Sequence, residues 1–245
     1  MTPVLVILQA RMASTRLPGK VLATIGNVPM LLAIARRVAP PAGAAAFVVA
    51  TSTDQADDPI VRVCERESVT VLRGSQDDCL DRFEMVARAF PAETIVRITG
   101  DNPLVDWPLI EKVLAAKEAQ GAGYASTNLP PATFPTGLSV EAFSRTALSE
   151  AWTHGIRPYE REHITPYIID APDKYPQARV ADVRDRYHLR VTVDTPEDLT
   201  VVRHLFHAAA DILAPWEELI GILEAHPEWA ALNSHVVQRR VHDSA

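Results

Sequence analysis

The sequence is poor in cysteine and has no long hydrophobic run, and both absences limit the class of protein. Cys64 and Cys79 are its two cysteines among 245 residues, so a disulfide framework is excluded. Neither has an adjacent residue that would activate a thiolate, and we expect both to be reduced, packed side chains. No apolar run reaches membrane-spanning length, and residues 1–8 lack the basic start of a signal peptide. We therefore expect a cytoplasmic protein without a membrane partner.

The sequence also lacks an excess of basic residues. It contains 24 lysines and arginines against 31 aspartates and glutamates, which gives a formal net charge of −7. Binding nucleic acid as a main role requires a basic face, so we expect no nucleic-acid partner. The phosphate-binding pattern G-x-x-x-x-G-K-[ST] is missing too, which excludes a Walker loop.

One stretch near the N-terminus nevertheless concentrates positive charge. An apolar run at 3–8, which we predict to be a buried strand, is followed by small and hydroxyl residues interspersed with Arg11, Arg16 and Lys20. Backbone N–H groups in such a loop can approach phosphate oxygens, which the cations neutralise. The pattern favours a polyphosphate site over the alternative of a solvated basic loop. The candidate nucleotide-binding residues in this loop are Ala10, Arg11, Ser14, Arg16 and Lys20.

The first half of the chain alternates short apolar runs with helical patterns. We predict strands at 4–8, 45–50, 69–72 and 94–99. We predict helices at 30–38, 59–67, 79–89 and 107–119. This alternation indicates an α/β protein with a mostly parallel sheet and helices on both faces. Ligands in such sheets bind at the carboxyl ends of the strands, and the basic loop lies at that end.

The pattern becomes less regular after residue 123. Three prolines within 128–136 indicate a loop. The segments beyond it suggest strands at 138–143, 177–183 and 188–193, and helices at 144–154, 159–169, 195–210 and 216–225. No repeat or low-complexity linker divides the chain. We therefore expect one domain over 1–232, with an inserted lobe at 124–188 and a C-terminal tail at 233–245.

Two carboxylates follow apolar strands at the expected ligand edge of the sheet. Asp101 follows the run 95–99, and Asp194 follows the run 191–193. Each residue alone could be a turn or capping residue. Mg²⁺, however, typically binds one or two carboxylates together with phosphate oxygens and water. Taken together with the basic loop, the pair predicts a magnesium–nucleotide site whose metal ligands are Asp101 and Asp194.

Five sequence blocks occur in order between residues 4 and 205. They read VILQARMASTRLPGKVL at 6–22, RGSQDDCLDRF at 73–83, ITGDNPL at 98–104, EREHITPY at 160–167 and RVTVDTPEDL at 190–199. These blocks resemble the SpsF-like cytidylyltransferase family, which is related to CMP-Kdo and CMP-acylneuraminate synthetases. The resemblance implies a Rossmann-like three-layer α/β/α nucleotidyltransferase fold, and we expect a homodimer. It also implies that CTP is the donor, that Mg²⁺ is the cofactor, and that an acidic acceptor such as a sugar acid displaces pyrophosphate.

The resemblance also implies roles for individual residues. Arg11 and Lys20 match the cations that bind the triphosphate, and with Asp101 they form the candidate catalytic set. Asp101 and Asp194 match the metal ligands. Asp81 and Arg82 fall in a segment that contacts the nucleotide in the related synthetases, although that alignment is loose.

The second half of the chain is expected to hold the acceptor. The candidate acceptor-binding residues are Ser139, Glu141, Arg157 and His163. His163 has three possible roles, as a general base, a pocket residue or a structural residue. The family usually has glycine where Ala13 stands and aspartate where Ser139 stands. The second difference leaves the identity of the acceptor open.

Two other functions remain possible at this stage. One is a nucleotide-sugar-dependent glycosyltransferase of similar fold with its metal on the Asp101 loop, and the other is a non-catalytic nucleotide-binding protein. The cations at 16–20 favour cytidylyl transfer, because a triphosphate needs more positive charge than a sugar diphosphate does. The presence of Lys20, Asp101 and Asp194 argues against a non-catalytic protein.

Overall fold

A computed structural model describes residues 3–238. Its strands are β1 (Val4–Gln9), β2 (Thr24–Ile25), β3 (Val28–Pro29), β4 (Ala46–Ser52), β5 (Val71–Gly74), β6 (Thr94–Thr99), β7 (Tyr124–Ser126), β8 (Glu141–Ser144) and β9 (Gln177–Arg179). Its α-helices are α1 (Met30–Arg37), α2 (Asp58–Arg66), α3 (Cys79–Ala89), α4 (Trp107–Ala119), α5 (Arg145–His154), α6 (Pro158–His163), α7 (Pro166–Ile169), α8 (Pro196–Ala209), α9 (Trp216–Ala225) and α10 (Pro227–Leu232).

The main sheet has seven strands in the order β5-β4-β1-β6-β8-β7-β9. Strands β5, β4, β1 and β6 are parallel to one another. Strand β8 is antiparallel to both β6 and β7, and β9 pairs in parallel with β7. The predicted α/β fold with a mostly parallel sheet is therefore confirmed. The segment predicted as an inserted lobe, 124–188, contributes β7, β8 and β9 to this same sheet.

A separate hydrophobic core covers each face of the sheet. Alternate side chains of β1 point to opposite faces, as strand geometry requires. Val6 and Leu8 pack in the core formed with α1, α4, α8 and α9. Leu5 and Ile7 pack in the core formed with α3, α5 and α7. This arrangement gives the predicted three layers and leaves the strand ends free to carry the site.

Some of the predicted elements differ from the structure. The predicted helix 159–169 is two short helices, since Ile164 ends the first with a φ of 72° and Pro166 starts the second. The predicted strand 188–193 is wrong, because its N–H groups bond to loop carbonyls: Val191 to Thr136 at 2.7 Å and Val193 to Asp101 at 2.8 Å. The predicted strands 138–143 and 177–183 are shorter in the structure, and β7 was not predicted.

The start of the predicted C-terminal tail packs against the domain. Asn233 is buried, and its Nδ2 atom donates to the backbone oxygen of Arg190 at 3.1 Å and to Asp198 at 2.8 Å. Positions 239–245 of that tail lie outside the described residues. Within residues 3–238, no helix combines the length and apolarity needed to cross a bilayer.

A buried arginine ties the loop after β6 to the C-terminal helices. The side chain of Arg37 is 0% exposed and lies 3.7 Å from the Asp106 carboxylate. Its guanidinium donates to four backbone carbonyls, those of Leu104, Val105, Ile212 and Ala214. Burial lowers the pKa of Arg37 to about 10, so it stays protonated at neutral pH. The contacts fix the loop that begins at Asp101.

We expect Arg37→Gln to lower the free energy of unfolding by about 3–5 kcal/mol, because it leaves Asp106 and several carbonyls buried without their partner. Urea unfolding measures this change. The neighbouring Arg36 forms an exposed pair with Glu67, so Arg36→Gln should cost less than about 1 kcal/mol. Equal effects of the two substitutions would contradict the assigned role of Arg37.

Candidate active site

The basic loop lies beside the Asp101 loop because β1 and β6 are adjacent parallel strands. The N–H of Gly100 donates to the carbonyl of Gln9 at 2.8 Å, which joins the two strand ends. Gly19 closes the basic loop with a φ of 73° and donates its N–H to the carbonyl of Met12 at 2.9 Å. This left-handed turn suits glycine and directs the chain back over the sheet edge. Lys20 therefore returns towards Asp101.

The ammonium of Lys20 lies between the two predicted metal ligands. Its Nζ atom is 3.1 Å from Oδ2 of Asp101 and 2.8 Å from Oδ1 of Asp194. It also donates to the backbone oxygen of Val193 at 2.8 Å. Two carboxylates that the sequence separates by more than ninety positions are thus within reach of one cation.

Two arginines share the second carboxylate with Lys20. Arg16 and Arg190 approach Oδ2 of Asp194 at 2.8 Å and 3.0 Å. Burial favours the protonated form of Asp194, but Lys20 and both arginines outweigh it and lower the pKa of that carboxyl. Burial likewise opposes the charge on Lys20, but Asp101 and Asp194 raise its pKa above the ordinary value. Lys20 and Asp194 are therefore both charged at neutral pH.

The segment before α8 holds Asp194 in place. Asp198 accepts hydrogen bonds from the N–H groups of Asp194 and Thr195 at 2.9 Å and 3.0 Å, and it also pairs with Arg190 at 2.8 Å. Thr195 caps the helix in return, which completes a capping box. The sequence prediction of a helix starting at Thr195 is confirmed, and the cap orients the carboxylate.

Gly137 permits the close packing that positions this segment. Its φ is 112°, and a Cβ atom there would lie 2.2 Å from the backbone nitrogen of Thr192. Only glycine fits this approach. The backbone oxygen of the neighbouring Thr136 accepts hydrogen bonds from the N–H groups of Val191 and Thr192. Residues 136–137 therefore hold in place the segment that leads to Asp194.

A cavity of about 390 Å³ opens over this cluster. It is lined by the predicted residues Ala10, Arg11, Ser14, Arg16, Lys20, Asp101, Asp194 and His163. We call it the nucleotide cavity. A larger depression of about 1040 Å³ lies at the other end of the sheet, next to the first residues of β1 and β6. Ligands of parallel sheets bind at the carboxyl ends, so the smaller cavity is the candidate site.

A second cavity of about 320 Å³ adjoins the first, and we call it the side cavity. Arg97 and His163 line both cavities, while Ser139 and Glu141 line the side cavity. Ser139 accepts from Asn128 at 2.5 Å. Three of the four predicted acceptor residues, Ser139, Glu141 and His163, are therefore brought together beside the nucleotide cavity.

Arg157 is separated from these three residues. Its side chain is 64% exposed, donates to the hydroxyl of Tyr159 at 2.6 Å, and lines neither cavity. The sequence block around 160–167 suggested the residue, but it precedes α6 on the solvent side. Its placement does not support a role in acceptor binding.

Asp81 and Arg82 do not line the nucleotide cavity either. Arg82 is fully buried and donates to the carbonyl of Ser75 at 2.6 Å and to Sγ of Cys79 at 3.0 Å. Asp81 accepts from the indole of Trp152 at 2.9 Å. Their placement does not support direct contact with the nucleotide. Both residues instead anchor α3 and the loop before it.

Sequence reasoning missed Arg97, which lies at the junction of the two cavities. It is a charged residue inside the apolar strand β6, opposite Glu141 of β8. A cation within a buried strand is costly unless it is paired, so its presence in the run TIVRIT was an available signal. Its partner could not be found, because the predicted strand 138–143 contains Glu141 but does not give its register against β6.

The donor set suits a hard divalent cation. Asp101 and Asp194 converge on one point, and the side chain of Asp101 is 29% exposed towards the cavity. Across residues 3–238, no group of three or more His, Cys, Asp or Glu side chains converges on a possible metal position. Two carboxylates completed by phosphate oxygens and water are an ordinary magnesium environment. The residues present therefore fit Mg²⁺ better than a metal that needs a full protein cage.

A basic loop and a carboxylate pair at the carboxyl edge of this sheet define a nucleotidyltransferase. The chain belongs to the cytidylyltransferase family, whose family model matches residues 5–225. The predicted family resemblance and the predicted class of CTP-dependent nucleotidyltransferase are thereby confirmed.

Individual relatives agree with this assignment. The spore coat polysaccharide biosynthesis protein SpsF of Bacillus subtilis strain 168 is 34% identical over 94% of this chain and 98% of its own length. The 3-deoxy-manno-octulosonate cytidylyltransferase of Acidovorax ebreus is 32% identical over 62% of this chain and 64% of its own. A solved cytidylyltransferase from Leptospira borgpetersenii has a TM-score of 0.87 and 28% identity, covering 97% of this chain and 99% of its own.

The lowered pKa of Asp194 predicts a pH dependence of stability. The Asp194 carboxylate stabilises the fold fully above the ordinary aspartate pKa of about 3.9, and the contribution disappears as the pH falls towards the lowered value. The free energy of unfolding should therefore fall less between pH 5 and pH 3 in Asp194→Asn than in the wild type. Urea unfolding at several pH values measures this difference.

The matched control is Asp173→Asn, which changes an exposed aspartate. It should keep the wild-type pH profile. If Asp194→Asn and the wild type lose stability equally over this interval, the electrostatic account of the cluster is wrong.

Proposed function

We propose that the protein transfers CMP from CTP to a sugar acid, that Mg²⁺ assists, and that pyrophosphate is released. The observation that carries this proposal is the convergence of Arg16, Lys20, Asp101 and Asp194 beneath one cavity. Cytidylyl transfer requires positively charged side chains that bind the triphosphate, next to carboxylates that hold the metal. This arrangement supplies both.

The cations of the basic loop differ in their availability. Arg11 is exposed and forms no ion pair within residues 3–238, so it is free to meet a phosphate. Arg16 pairs with Asp194, whereas all three N–H donors of Lys20 are taken up by Asp101, Asp194 and the backbone oxygen of Val193. We infer that all three bind the β- and γ-phosphates. Their charge stabilises the leaving pyrophosphate, and most of the catalysis is positioning and neutralisation.

Asp101 and Asp194 would hold the metal ion. When bound, Mg²⁺ supplies neutralisation of the α-phosphate and a template for the reacting oxygens. Lys20 lies between the same two carboxylates, at 3.1 Å and 2.8 Å. Lys20 must therefore withdraw before the carboxylates become available, and the triphosphate is the group that attracts it. We infer that the protein acquires the metal together with CTP.

This inference predicts an unusual effect of removing Lys20. Calorimetry with Mn²⁺ alone should show weak binding to the wild type, and the substitution Lys20→Gln should tighten it by about tenfold or more, since it removes a competing charge-assisted contact. Lys112→Gln is the matched control, because Lys112 forms an exposed pair with Glu217 away from the site. Tight binding of Mn²⁺ to the nucleotide-free wild type would contradict the inference.

Two observations support a sugar acid as the acceptor. The Acidovorax relative is named for 3-deoxy-manno-octulosonate, a sugar acid. Ser139, Glu141 and His163 border the side cavity, which adjoins the nucleotide cavity. The location in the cytoplasm, the homodimer and the absence of a nucleic-acid partner stay predictions.

Pyrophosphate release tests the proposed function. We expect release with CTP and a sugar acid, and little release with ATP, GTP or UTP. Arg11→Ala should weaken CTP binding about tenfold or more, because it removes a charge-assisted phosphate contact. The control Arg66→Ala changes an exposed arginine on α2 and should bind CTP normally. Release that does not depend on CTP would refute the proposal, and unchanged CTP affinity in Arg11→Ala would refute the role of that residue.

A further inference from the structure

The guanidinium of Arg97 lies where the two cavities meet. Arg97 belongs to β6, next to β1 on one side and β8 on the other, and its side chain is 14% exposed. It lines both the nucleotide cavity and the side cavity. A group bound at this junction would be in contact with both ligands of a transfer reaction.

Arg97 has one strong partner and one weak one. Its Nη1 atom forms a short ion pair with Oε2 of Glu141, its cross-strand neighbour. Its Nε and Nη2 atoms share a single acceptor, Oε1 of Gln9, at 3.4 Å and 3.3 Å. These two parallel donors form the edge of a guanidinium that ordinarily binds a carboxylate in bidentate fashion. A neutral amide at long range uses that edge poorly.

Gln9 is loosely held and can be displaced. Its Nε2 atom donates to Sγ of Cys79 at 3.4 Å, and a thiol sulfur is a weak acceptor. Gln9 also lines the nucleotide cavity. An incoming carboxylate would therefore replace a weak neutral contact with a charge-assisted pair.

Glu141 keeps the guanidinium in position. Its other oxygen, Oε1, accepts from the hydroxyl of Tyr124 at 2.7 Å and from that of Thr165 at 2.8 Å. Both carboxylate oxygens are thus occupied by protein groups. Glu141 was predicted to bind the acceptor, and its contacts indicate that it also fixes the position of Arg97.

His163 also lies where the two cavities meet, and within residues 3–238 it has an unused hydrogen-bonding atom. His163 lines both cavities, and its Nε2 atom is buried without a hydrogen-bond partner in the described part of the chain. Burial lowers the pKa of His163, and the charges of Arg97 and Arg11 contribute in the same direction. Buried polar atoms without partners are uncommon and call for a ligand or water.

We propose that Arg97 binds the carboxylate of the acceptor through its Nε–Nη2 edge and makes the enzyme selective for acids, with His163 completing the contact. The inference rests on the proposed function and names the residue that recognises the negative charge of the acceptor. The side cavity beyond it holds Glu141 and Asp170 and carries no other arginine or lysine. The acid group therefore binds at the junction, and the neutral body of the sugar extends into the side cavity.

A neutral analogue of the acceptor tests this proposal directly. The probes are 3-deoxy-manno-octulosonate and N-acetylneuraminate, each compared with its carboxamide, with kcat/KM measured by pyrophosphate release. The wild type should prefer at least one acid over its amide by about 10- to 100-fold, the range expected for a charge-assisted pair. The double variant Arg97→Gln/Glu141→Gln keeps a neutral hydrogen-bonding pair in the sheet. It should reduce the preference to nearly none while leaving the KM for CTP unchanged.

The matched control is the double variant Arg145→Gln/Glu84→Gln. It removes another partly buried arginine–glutamate pair, with contacts of 2.7 Å, at the opposite end of the sheet. It should keep the full preference for the acid. A merely structural Arg97 would make both double variants behave alike, and that result would overturn the proposal.

The remaining outcomes separate this inference from the proposed function. Pyrophosphate release with an acid preference that survives in the Arg97 variant refutes the inference and leaves cytidylyl transfer intact. A wild type that uses CTP but accepts the amides as well as the acids also refutes it. A wild type that neither turns over nor binds either acid, measured by saturation-transfer NMR in the presence of CTP, contradicts both.

Discussion

The ammonium of Lys20 between Asp101 and Asp194 is the contact on which the rest of the site depends. It allows two carboxylates to converge in a partly buried place, where their mutual repulsion would otherwise favour protonation of one of them. It also holds the two carboxylates together at the position where we propose that the metal binds. In the proposed function the same cation moves towards the triphosphate, so one side chain links the nucleotide-free protein to the CTP-bound protein.

The fold supplies this contact from three distant parts of the sequence. Adjacent parallel strands β1 and β6 bring the basic loop and the Asp101 loop together. The cap of α8 presents Asp194, and Arg190 with Asp198 fixes it from below. Buried charges of this kind are stable only as a network, because removal of one member leaves the others uncompensated. The site is therefore rigid beneath the cavity and open above it.

The parts of the site that sequence could predict are those at strand ends. An apolar run followed by a loop places Lys20 and Asp101 at one edge of a parallel sheet, because that edge follows from strand direction alone. Asp194 lies at the same edge for a different reason, since residues 188–193 form no strand and bond to the loops at 101 and 136. Arg97 could not be assigned in this way. Its function depends on the antiparallel strand β8, which sets Glu141 opposite it, and the register of that pair is a long-range property.

Some predicted site residues lie outside the two cavities, and one predicted strand is wrong. A block that resembles a family does not say which of its side chains point into a cavity, so Arg82 and Arg157 were selected although one is buried away from the site and the other is exposed. The predicted strand 188–193 failed because its backbone groups pair with the loops at 101 and 136. Those loops position Asp101 and Asp194, and no local sequence pattern predicts these contacts.

The central claim is that CTP draws Lys20 away and that the metal takes its place between the carboxylates. Anomalous scattering from crystals of the protein grown with Mn²⁺ and CTP tests this most directly. The account predicts a metal peak bound by Asp101 and Asp194 at about 2.0–2.3 Å, close to the distances for hard divalent cations, with Nζ of Lys20 on phosphate oxygens. A metal peak elsewhere, with Lys20 still between the two carboxylates, would contradict it.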